Sequence, residues 1–395
     1  MSTRFIHSAD WQLGKPFARI DDVTKRTSVQ KERLQVIQRL GAFAREHEAE
    51  FMLVAGDLFD SSSVDKATVA YACNAIGALG MPVIVIPGNH DHAGPGSIWQ
   101  QPFFQRERAS LAPNLRVLTA SEPVELDSAV VFPCPLLRRA ESADPTTWLR
   151  ALNLPSDAFG GKPRIVLAHG TTQGFGSGAD EEDDDAASVA NLLNLSRLAD
   201  DAFDYIALGD WHGTKQVGAK AWYAGTPEID RFPKGESNNP GHCLAVVATR
   251  GGEPDVQVCR TARFEWHQFA FDFTDDAALE RLYQEVESRV KKHWDENLLR
   301  LELSGSLGIE AAARLKEYLD SLEARLLRVQ VVGNYVMAPT ESEITALTQR
   351  VADPLIASVA GKLMVRLRGS AEEAATARVA LRELHAACNQ IGNQR

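Results

Sequence analysis

The stretch PVIVIPGNHD, residues 82–91, leads from an uninterrupted apolar run into a cluster of polar side chains. The run predicts a strand over 82–86 that is buried on both faces, because a half-exposed strand would alternate apolar and polar residues. Proline and glycine then turn the chain, and Asn89, His90 and Asp91 follow directly. In α/β folds, functional sites gather beyond the carboxyl ends of such strands. The stretch therefore predicts an α/β fold with a site beside these three residues.

The chain before this stretch alternates strands and helices. Apolar runs and helical spacing predict a strand at Phe5–Ala9, a helix at Lys25–His47, a strand at Phe51–Ala55 and a helix at Lys66–Leu79. Two parallel strands need a crossover between them, and a helix usually supplies it. The alternation therefore predicts parallel pairing within one sheet.

Beyond Val117 the rhythm changes to short strands with few helices between them. These strands are predicted at Val124–Leu126, Ala129–Pro133, Arg164–Ala168, Tyr205–Leu208, Trp222–Ala224, Cys243–Thr249 and Asp255–Thr261. Residues 250–254, Arg-Gly-Gly-Glu-Pro, are typical of a hairpin turn between the last two. We therefore expect a second sheet packed on the first, which makes a β-sandwich with helices outside.

From Arg263 the pattern starts again as a small α+β unit. Its predicted elements are a strand at Phe264–Phe273, a helix at Ala277–His293, a strand at Leu298–Leu303, a helix at Glu310–Arg325 and a strand at Leu327–Val332. Helical spacing continues beyond it, and the chain is predicted to form three domains at 1–262, 263–340 and 341–395. The apolar residues of the last helix either dock a partner or cover the core of this unit: Val379, Leu381, Leu384 and Cys388.

The composition is that of a folded protein, with 395 residues, 44% of them hydrophobic and 24% charged. The formal net charge of −11 argues against a protein that coats nucleic acid through a broad basic face. It is compatible with a nuclease that meets DNA through a local groove and metal ions. The acidic run at 180–185 contributes to this charge, as either a solvated loop or a lid beside a cleft.

Three features favour a cytoplasmic protein without a membrane segment. No stretch approaches the roughly eighteen apolar residues of a membrane span. The N-terminus runs straight into a predicted strand, without the features of a signal peptide. The five cysteines form no Cys-x-x-Cys pair, which argues against both a zinc knuckle and a disulfide framework.

Five fragments carry metal-ligating residue types directly after an apolar run. They are Ser-Ala-Asp-Trp-Gln (8–12), Gly-Asp-Leu-Phe-Asp (56–60), Gly-Asn-His-Asp (88–91), Ala-His-Gly (168–170) and Gly-Asp-Trp-His (209–212). A single Asp or His in such a place is more often a turn residue, a helix cap or a hydrogen-bonded imidazole. Five strand ends of this character in one α/β domain predict a shared metal site instead.

The stretches HSADWQLGKPF, VAGDLFDSSSV, PVIVIPGNHD, LAHG and YIALGDWHG, in this order and spacing, resemble the motifs of the calcineurin-like metallophosphoesterases. Within that family the sequence is most similar to the DNA repair exonucleases of SbcD type. The resemblance covers roughly residues 4–260 and implies a four-layer αββα fold, in which helices flank the two sheets of the β-sandwich. It also implies that 263–340 is an α+β capping domain, followed by a helical tail.

The resemblance assigns two metal positions. The first metal position would be formed by Asp10, Gln12, Asp57 and His212. The second metal position would be formed by Asp57, Asn89, His169 and Asp210. Asp57 would bridge the two ions, because a shared carboxylate screens the repulsion of divalent ions about 3.5–4 Å apart.

The resemblance also assigns the catalytic groups. His90 would face the scissile phosphate and stabilise charge or protonate the leaving oxygen, with Asp91 orienting its ring. Asp60 would support the metal ligands.

Two of these residues depart from the family pattern. Gln12 stands where a His is usual, and Asp210 stands where Gly-His-x-His places its first His. Either the site has decayed and the protein only binds, or the ligand set is altered and functional. The second interpretation is favoured, because Asp is a competent ligand and the other ligands are present. The added oxygen donors favour Mn²⁺, or Mg²⁺, over Zn²⁺.

Two further residues are candidates for contact with substrate. Arg231 lies in GTPEIDRF, residues 225–232, and is a candidate to bind a phosphate, although a surface or structural role fits equally well. Phe175 lies in the glycine-rich segment after His169 and would either stack on a base or pack against its own domain.

The resemblance and the additional C-terminal domain favour a metal-dependent phosphodiesterase that cleaves DNA, as an exonuclease or end-processing nuclease in DNA repair. A small-molecule phosphoesterase would use the same dinuclear site, so the site does not separate these two functions. A noncatalytic scaffold that binds DNA ends or a partner is the third hypothesis. The resemblance implies DNA and an SMC-like ATPase of SbcC type as partners, and a homodimer is compatible with it.

Overall fold

The computed structural model of the chain describes residues 1–155, 157–172, 190–199, 201–232, 238–290, 293–333, 335–337, 340–349 and 353–392. The acidic run at 180–185 lies outside these residues. The chain forms two compact units, Met1–Phe264 and Glu265–Arg395. Each unit has an apolar core of its own. The predicted division into three domains stays a prediction.

The first unit is built from two large sheets and the helices between their strands. Its elements are β1 Ser2–Ser8, α1 Val23–Glu46, β2 Phe51–Val54, α2 Lys66–Gly77, β3 Val83–Val85, α3 Pro102–Leu111, β4 Leu115–Val117, β5 Val124–Glu125, β6 Val130–Cys134, β7 Arg164–His169, β8 Thr171–Thr172, β9 Leu192–Leu193, β10 Tyr205–Gly209, β11 Lys215–Gln216, β12 Ala221–Tyr223, β13 His242–Thr249 and β14 Asp255–Arg260.

The first sheet has the strand order β14-β13-β1-β2-β3-β4. β1 to β4 pair in parallel, which confirms the pairing predicted from the alternation of strand and helix. β13 and β14 form an antiparallel hairpin around the predicted turn at 250–254. Because β1, β2 and β3 run in the same direction, the loops that follow them leave the sheet at one edge. These loops contain Asp10, Asp57 and Asn89.

The second sheet has the strand order β11-β12-β10-β7-β6-β5 and is parallel from β12 to β6. Its neighbouring strands β7 and β10 end at His169 and Gly209. The two sheets share one core, in which Phe5 and Leu53 of the first sheet pack with Val131 and Leu167 of the second. The predicted second sheet on the first is therefore present.

A polar contact joins the two sheets close to these strand ends. His7 of β1 is fully buried, and burial lowers its pKa to about 3. The neutral ring bonds through Nδ1 to the hydroxyl of Tyr205 at 3.0 Å and through Nε2 to the carbonyl of Leu208 at 3.2 Å. Both partners lie on β10, so this pair of contacts fixes β1 against β10.

Helices cover the face of the first sheet that does not pack against the second sheet. Ile37 of α1, Ile76 of α2 and Phe104 of α3 share a core with Met52 and Val85 of that sheet. The other face of the second sheet packs against Trp148, Leu149 and Phe203, which lie in loops and a short 3₁₀ turn. The mixed α/β architecture is as predicted, and the four-layer αββα arrangement stays a prediction.

The second unit is a small sheet with helices between its strands, followed by further helices. Its elements are β15 Glu265–Phe273, α4 Ala278–Val290, β16 Asn297–Leu307, α5 Ile309–Arg325, β17 Arg328–Val332, β18 Val336–Met337, α6 Glu341–Thr348, α7 Pro354–Arg366 and α8 Ala371–Gly392. β15, β16 and β17 pair in parallel, and β18 pairs with β16. The core of the unit includes Leu282 of α4, Leu301 of β16 and Leu315 of α5. A capping role stays a prediction.

The last helix covers its own unit. Leu381 and Cys388 of α8 are buried in a cluster with Ile309 and Leu347. Of the two interpretations of this helix, the structure supports packing within the unit for these side chains, whereas Val379 is 52% exposed.

Among the described residues, the structure contains no helix that is long and apolar enough to cross a membrane.

Candidate metal centre

The loops after β1, β2 and β10 turn sharply at acidic residues. Asp10, Asp57 and Asp210 have φ angles of 52°, 53° and 102°, a backbone region that residues other than glycine rarely adopt. Such strain persists only where the surroundings impose it, and it concentrates at functional sites. Here the Asp10 amide donates to the carbonyl of Gly56 at 3.1 Å, and the Gln12 amide donates to the carbonyl of Asp57 at 2.8 Å. The first two loops therefore hold each other in place.

Two glycines allow the acidic side chains and an imidazole to come close. A Cβ atom on Gly88 would lie 2.1 Å from Oδ1 of Asp57. A Cβ atom on Gly56, whose φ is +89°, would lie 2.2 Å from Nδ1 of His169. No side chain fits at either position unless these groups move, which explains the glycines beside the predicted ligands.

The centre of the site is a cluster of three buried side chains, Asp10, Asp57 and His169. One donor atom from each lies within 4.8 Å of the donor atoms of the other two. Nε2 of His169 lies 3.6 Å from Oδ2 of Asp57, and Nδ1 bonds to the carbonyl of Ala55 at 2.8 Å. When the ring is neutral, this carbonyl bond places the proton on Nδ1 and leaves the Nε2 lone pair directed at the cluster.

The remaining predicted ligands of the second metal position surround the same imidazole. Oδ1 of Asn89 lies 2.9 Å from Nε2 of His169, and Oδ1 of Asp210 lies 3.8 Å from it. The other oxygen of Asp210 accepts a hydrogen bond from the Thr171 hydroxyl at 2.7 Å. The structure thus brings together all four residues that the resemblance assigned to this position.

The electrostatics of this cluster are those of a cation site. Burial raises the pKa of Asp10 to about 8. Burial opposes protonation of His169, but the charges of Asp57, Asp10 and Asp210 outweigh it and raise the pKa of that imidazole to about 9. Carboxylates packed this closely need a cation between them, and carboxylate, amide and imidazole donors together fit a divalent metal ion.

The remaining predicted ligands of the first metal position form a different arrangement. Nδ1 of His212 bonds to Oδ1 of Asp230 at 3.1 Å, and its Nε2 lies 3.4 Å from Arg231 and 3.4 Å from the amide nitrogen of Gln12. The amide oxygen of Gln12 accepts a hydrogen bond from Lys15 at 2.9 Å. Gln12 and His212 thus lie side by side as predicted, but cationic side chains contact their ligand atoms.

Asp230 holds these cations in place. Its fully buried carboxylate lies 2.9 Å from Nζ of Lys15 and 3.3 Å from the guanidinium of Arg231. Burial opposes its ionisation, yet Arg231, His212 and Lys15 keep the pKa of Asp230 well below its ordinary value. Lys15 and Asp230 were absent from the sequence prediction. The available signals were their positions, three residues after Gln12 and next to Arg231.

A buried arginine was also absent from the prediction. Arg33 of α1 donates to the carbonyl of Asp10 at 3.1 Å, to that of Gln12 at 3.3 Å and to that of Glu228 at 2.9 Å. It therefore fixes the loop that carries Asp10 and Gln12. Nothing in the sequence separated it from the other basic residues of a helix.

His90 lies beside the cluster, with a side chain that is partly exposed. Its Nδ1 bonds to the carbonyl of Asp60 at 2.8 Å, and its Nε2 lies 4.0 Å from Oδ2 of Asp57. Its side chain is 20% exposed, unlike that of His169, which is fully buried. Burial lowers its pKa, but the charge of Asp57 outweighs this effect and the net shift is upward.

The role predicted for Asp91 is wrong. Its carboxylate accepts hydrogen bonds from the backbone amides of Phe59 at 3.0 Å and Gly88 at 2.8 Å. The ring of His90 is oriented by the carbonyl of Asp60 instead. A fully buried carboxylate satisfies its oxygens with the nearest amides, and here these belong to the loops after β2 and β3. Asp91 thus positions the loops that carry Asp57 and Asn89.

The two candidate substrate contacts have different outcomes. Arg231 lies at the site, against His212 and Asp230. Phe175 lies outside the described residues, and its predicted role stays a prediction.

Comparison with known proteins agrees with this geometry. The calcineurin-like phosphoesterase family matches residues 3–234, which is more than half of the chain. The chain belongs to the calcineurin-like phosphoesterase family. Its members hydrolyse phosphoesters with divalent metals, so the acidic cluster is the candidate metal centre of such an enzyme.

Solved structures show weaker likeness. The crystal structure of TT1561 of Thermus thermophilus is 11% identical, with a TM-score of 0.38, and the match covers 66% of this chain and 100% of that one. Another solved chain is 13% identical, with a TM-score of 0.40 and the same coverage. Likeness at this level carries no argument about substrate.

Proposed function

We propose that this calcineurin-like phosphoesterase cleaves DNA, as a metal-dependent exonuclease or end-processing nuclease of DNA repair. The observation that supports metal-dependent hydrolysis is the buried cluster of Asp10, Asp57 and His169, with His90 beside it and Asn89 and Asp210 around His169. We propose Mn²⁺ as the native metal, with Mg²⁺ as the alternative, because most of these donors are oxygens.

The side chains of the site divide the chemistry between them. A divalent ion, when bound, supplies a Lewis acid that polarises the phosphate and activates water. Asp10, Asp57, Asn89, His169 and Asp210 would hold it. His90 keeps Nδ1 on the carbonyl of Asp60 at 2.8 Å, so its Nε2, which lies 4.0 Å from Oδ2 of Asp57, is the nitrogen that we propose approaches a phosphate. We assign to this Nε2 the transfer of a proton to the leaving oxygen.

A polymeric substrate is favoured over a small one by the second unit. A phosphoesterase of small molecules needs no additional domain, whereas this chain carries one from Glu265 onward with a core of its own. The similarity to exonucleases of SbcD type points the same way. The net charge of −11 implies that DNA would be held by local contacts rather than by a broad basic face.

One experiment separates the candidate functions. The purified chain is incubated with Mn²⁺ and, in parallel, with labelled linear duplex DNA, labelled single-stranded DNA and bis-p-nitrophenyl phosphate. Cleavage of DNA, lost in His90→Ala, is the expected result. Hydrolysis of the small ester alone would show a small-molecule phosphoesterase, which the acidic net charge favours. DNA binding without turnover on any substrate would show a noncatalytic scaffold.

We further propose an SMC-like ATPase as the partner, a homodimer as the assembly and the cytoplasm as the location. Support for the partner comes from the resemblance and from exposed apolar residues of the second unit. Leu355 and Val365 of α7 are 78% and 73% exposed, and Val379 of α8 is 52% exposed. Copurification of the full chain with a coiled-coil ATPase, lost in Leu355→Glu, is the expected result.

A further inference from the structure

The two metal positions implied by the family pattern are not equivalent in this chain. At the second position, the donor atoms of Asp57, Asn89 and Asp210 converge on Nε2 of His169. At the first position, Asp10 and Asp57 belong to the buried cluster, and the two other assigned ligands are Gln12 and His212. A ligand atom of each of these two residues contacts a basic side chain.

The contacts at the first position involve the ligand atoms themselves. Nε2 of His212 lies 3.4 Å from a guanidinium nitrogen of Arg231, and Nδ1 is bonded to Asp230 at 3.1 Å. The amide oxygen of Gln12 accepts from the ammonium of Lys15 at 2.9 Å. An ion that bound these two atoms would have to displace both contacts.

The two basic groups are fixed in place. Asp230 is completely buried and pairs with Lys15 at 2.9 Å and Arg231 at 3.3 Å. The side chains of Lys15 and Arg231 are only 14% and 17% exposed, so neither is a surface cation that swings freely in solvent. A divalent ion bound to Gln12 and His212 would be repelled by the adjacent Lys15 and Arg231, in a setting where burial strengthens the repulsion.

We propose that this chain binds one divalent ion rather than two, and that Lys15 and Arg231 supply the positive charge of the missing ion at the first position. The proposal deepens the proposed function and rests on it. Gln12, in place of the usual His, removes an imidazole ligand and offers Lys15 an oxygen acceptor. The substitution at residue 12 and the cation at residue 15 thus form one adaptation.

This arrangement assigns substrate binding to the two basic side chains. A guanidinium presents a planar fork of donors that matches the oxygens of a phosphate, and an ammonium adds a point charge. Lys15 and Arg231 are therefore positioned to bind the non-bridging oxygens that a second ion would otherwise hold.

The test is the metal content of the full chain, which does not depend on activity. Chelator-treated protein is titrated with Mn²⁺, and bound ions are counted by calorimetry and elemental analysis, with electron paramagnetic resonance as the spectroscopic check. We expect one ion per chain and a spectrum without exchange coupling. Two ions per chain with a coupled spectrum would overturn the inference and leave the proposed function intact. One ion per chain without cleavage of any phosphoester would support the inference and contradict the proposed function. Absence of Mn²⁺ binding would contradict both the inference and the proposed function.

A double variant tests whether Gln12 and Lys15 are the reason that only one ion binds. Gln12→His with Lys15→Met restores the imidazole and removes the ammonium, and we expect it to bind a second Mn²⁺ and to show exchange coupling. Lys15→Met alone is expected to keep one ion and to raise KM for bis-p-nitrophenyl phosphate on the order of tenfold, the loss of one charge-assisted contact. Lys31→Met, at an exposed position of α1, is the matched control and should change neither the number of bound ions nor KM. A double variant that folds and still binds one ion would contradict the role of Lys15.

Discussion

Asp57 is the residue on which the site depends most. Its Oδ1 accepts from the His90 amide at 3.0 Å, and its Oδ2 lies 3.6 Å from Nε2 of His169 and 4.0 Å from that of His90. It thus contacts both the proposed catalytic imidazole and the proposed metal ligand. The position of this single carboxylate sets the geometry of both.

Gly88 provides a test of that dependence in which every ligand residue is retained. In Gly88→Ala the new Cβ would lie 2.1 Å from Oδ1 of Asp57 and must displace it. We expect the affinity for Mn²⁺, measured by calorimetry, to fall roughly 10–100-fold, as when a neighbour that orients a ligand is lost. Gly361→Ala is the control, because a Cβ there meets open space within a helix. Unchanged affinity in Gly88→Ala would contradict this geometry.

The sequence predicts those site residues that directly follow a buried strand. Asp10, Asp57, Asn89 and His169 were predicted together because parallel strands bring their carboxyl ends to one edge. Lys15, Asp230 and the true contacts of Asp91 were not predicted, because they depend on where side chains from distant loops meet. Nothing in the spacing of the motif contains that information.

At the scale of elements, helix α2 is started by Asp65. Oδ1 accepts from the Thr68 amide at 2.9 Å and Oδ2 accepts from its hydroxyl at 2.7 Å, and these bonds lower the pKa of Asp65. Asp65→Ala should lower the free energy of unfolding by about 1 kcal/mol near neutral pH, measured by urea denaturation.

The pH dependence of this effect follows from the direction of the shift. A carboxylate whose pKa is lowered by folding stabilises the protein above its unfolded pKa, and the stabilisation is lost as the pH falls through its folded pKa. The difference between the native chain and Asp65→Ala should therefore shrink below about pH 4. Asp65→Asn keeps the cap and should retain most of the stability. An equal loss in both variants would show that the cap is not the cause.

Elements with a clear apolar pattern were predicted, and elements without one were missed. The expected helix at 25–47 is found at Val23–Glu46, and the expected strand at 51–55 is found at Phe51–Val54. Helix α3 was missed, because Phe104 is its only fully buried residue and the apolar pattern is too weak. β8 and β9 were missed because each has two residues and is defined by its partner alone.

At the scale of the whole molecule, the first unit contains the candidate metal centre, and the second unit is the additional domain that favours a polymeric substrate. The complete candidate metal centre lies before Phe264, within the unit that contains both large sheets. A chain that ends at Phe264 should bind Mn²⁺ and hydrolyse bis-p-nitrophenyl phosphate at a rate close to that of the full chain. Its cleavage of linear DNA should be strongly reduced. Equal DNA cleavage by both would refute a role of the second unit in binding DNA.

The most direct test of the proposed nuclease is its Mn²⁺-dependent cleavage of labelled linear DNA, compared between two isosteric variants. Asp57→Asn removes the central carboxylate, and Asp127→Asn makes the same change at an exposed position of the loop between β5 and β6. We expect the native chain and Asp127→Asn to cleave DNA at the same rate, with chelator abolishing both activities, and Asp57→Asn to show only background. DNA cleavage by Asp57→Asn at the native rate would contradict the assignment of this cluster as the catalytic centre.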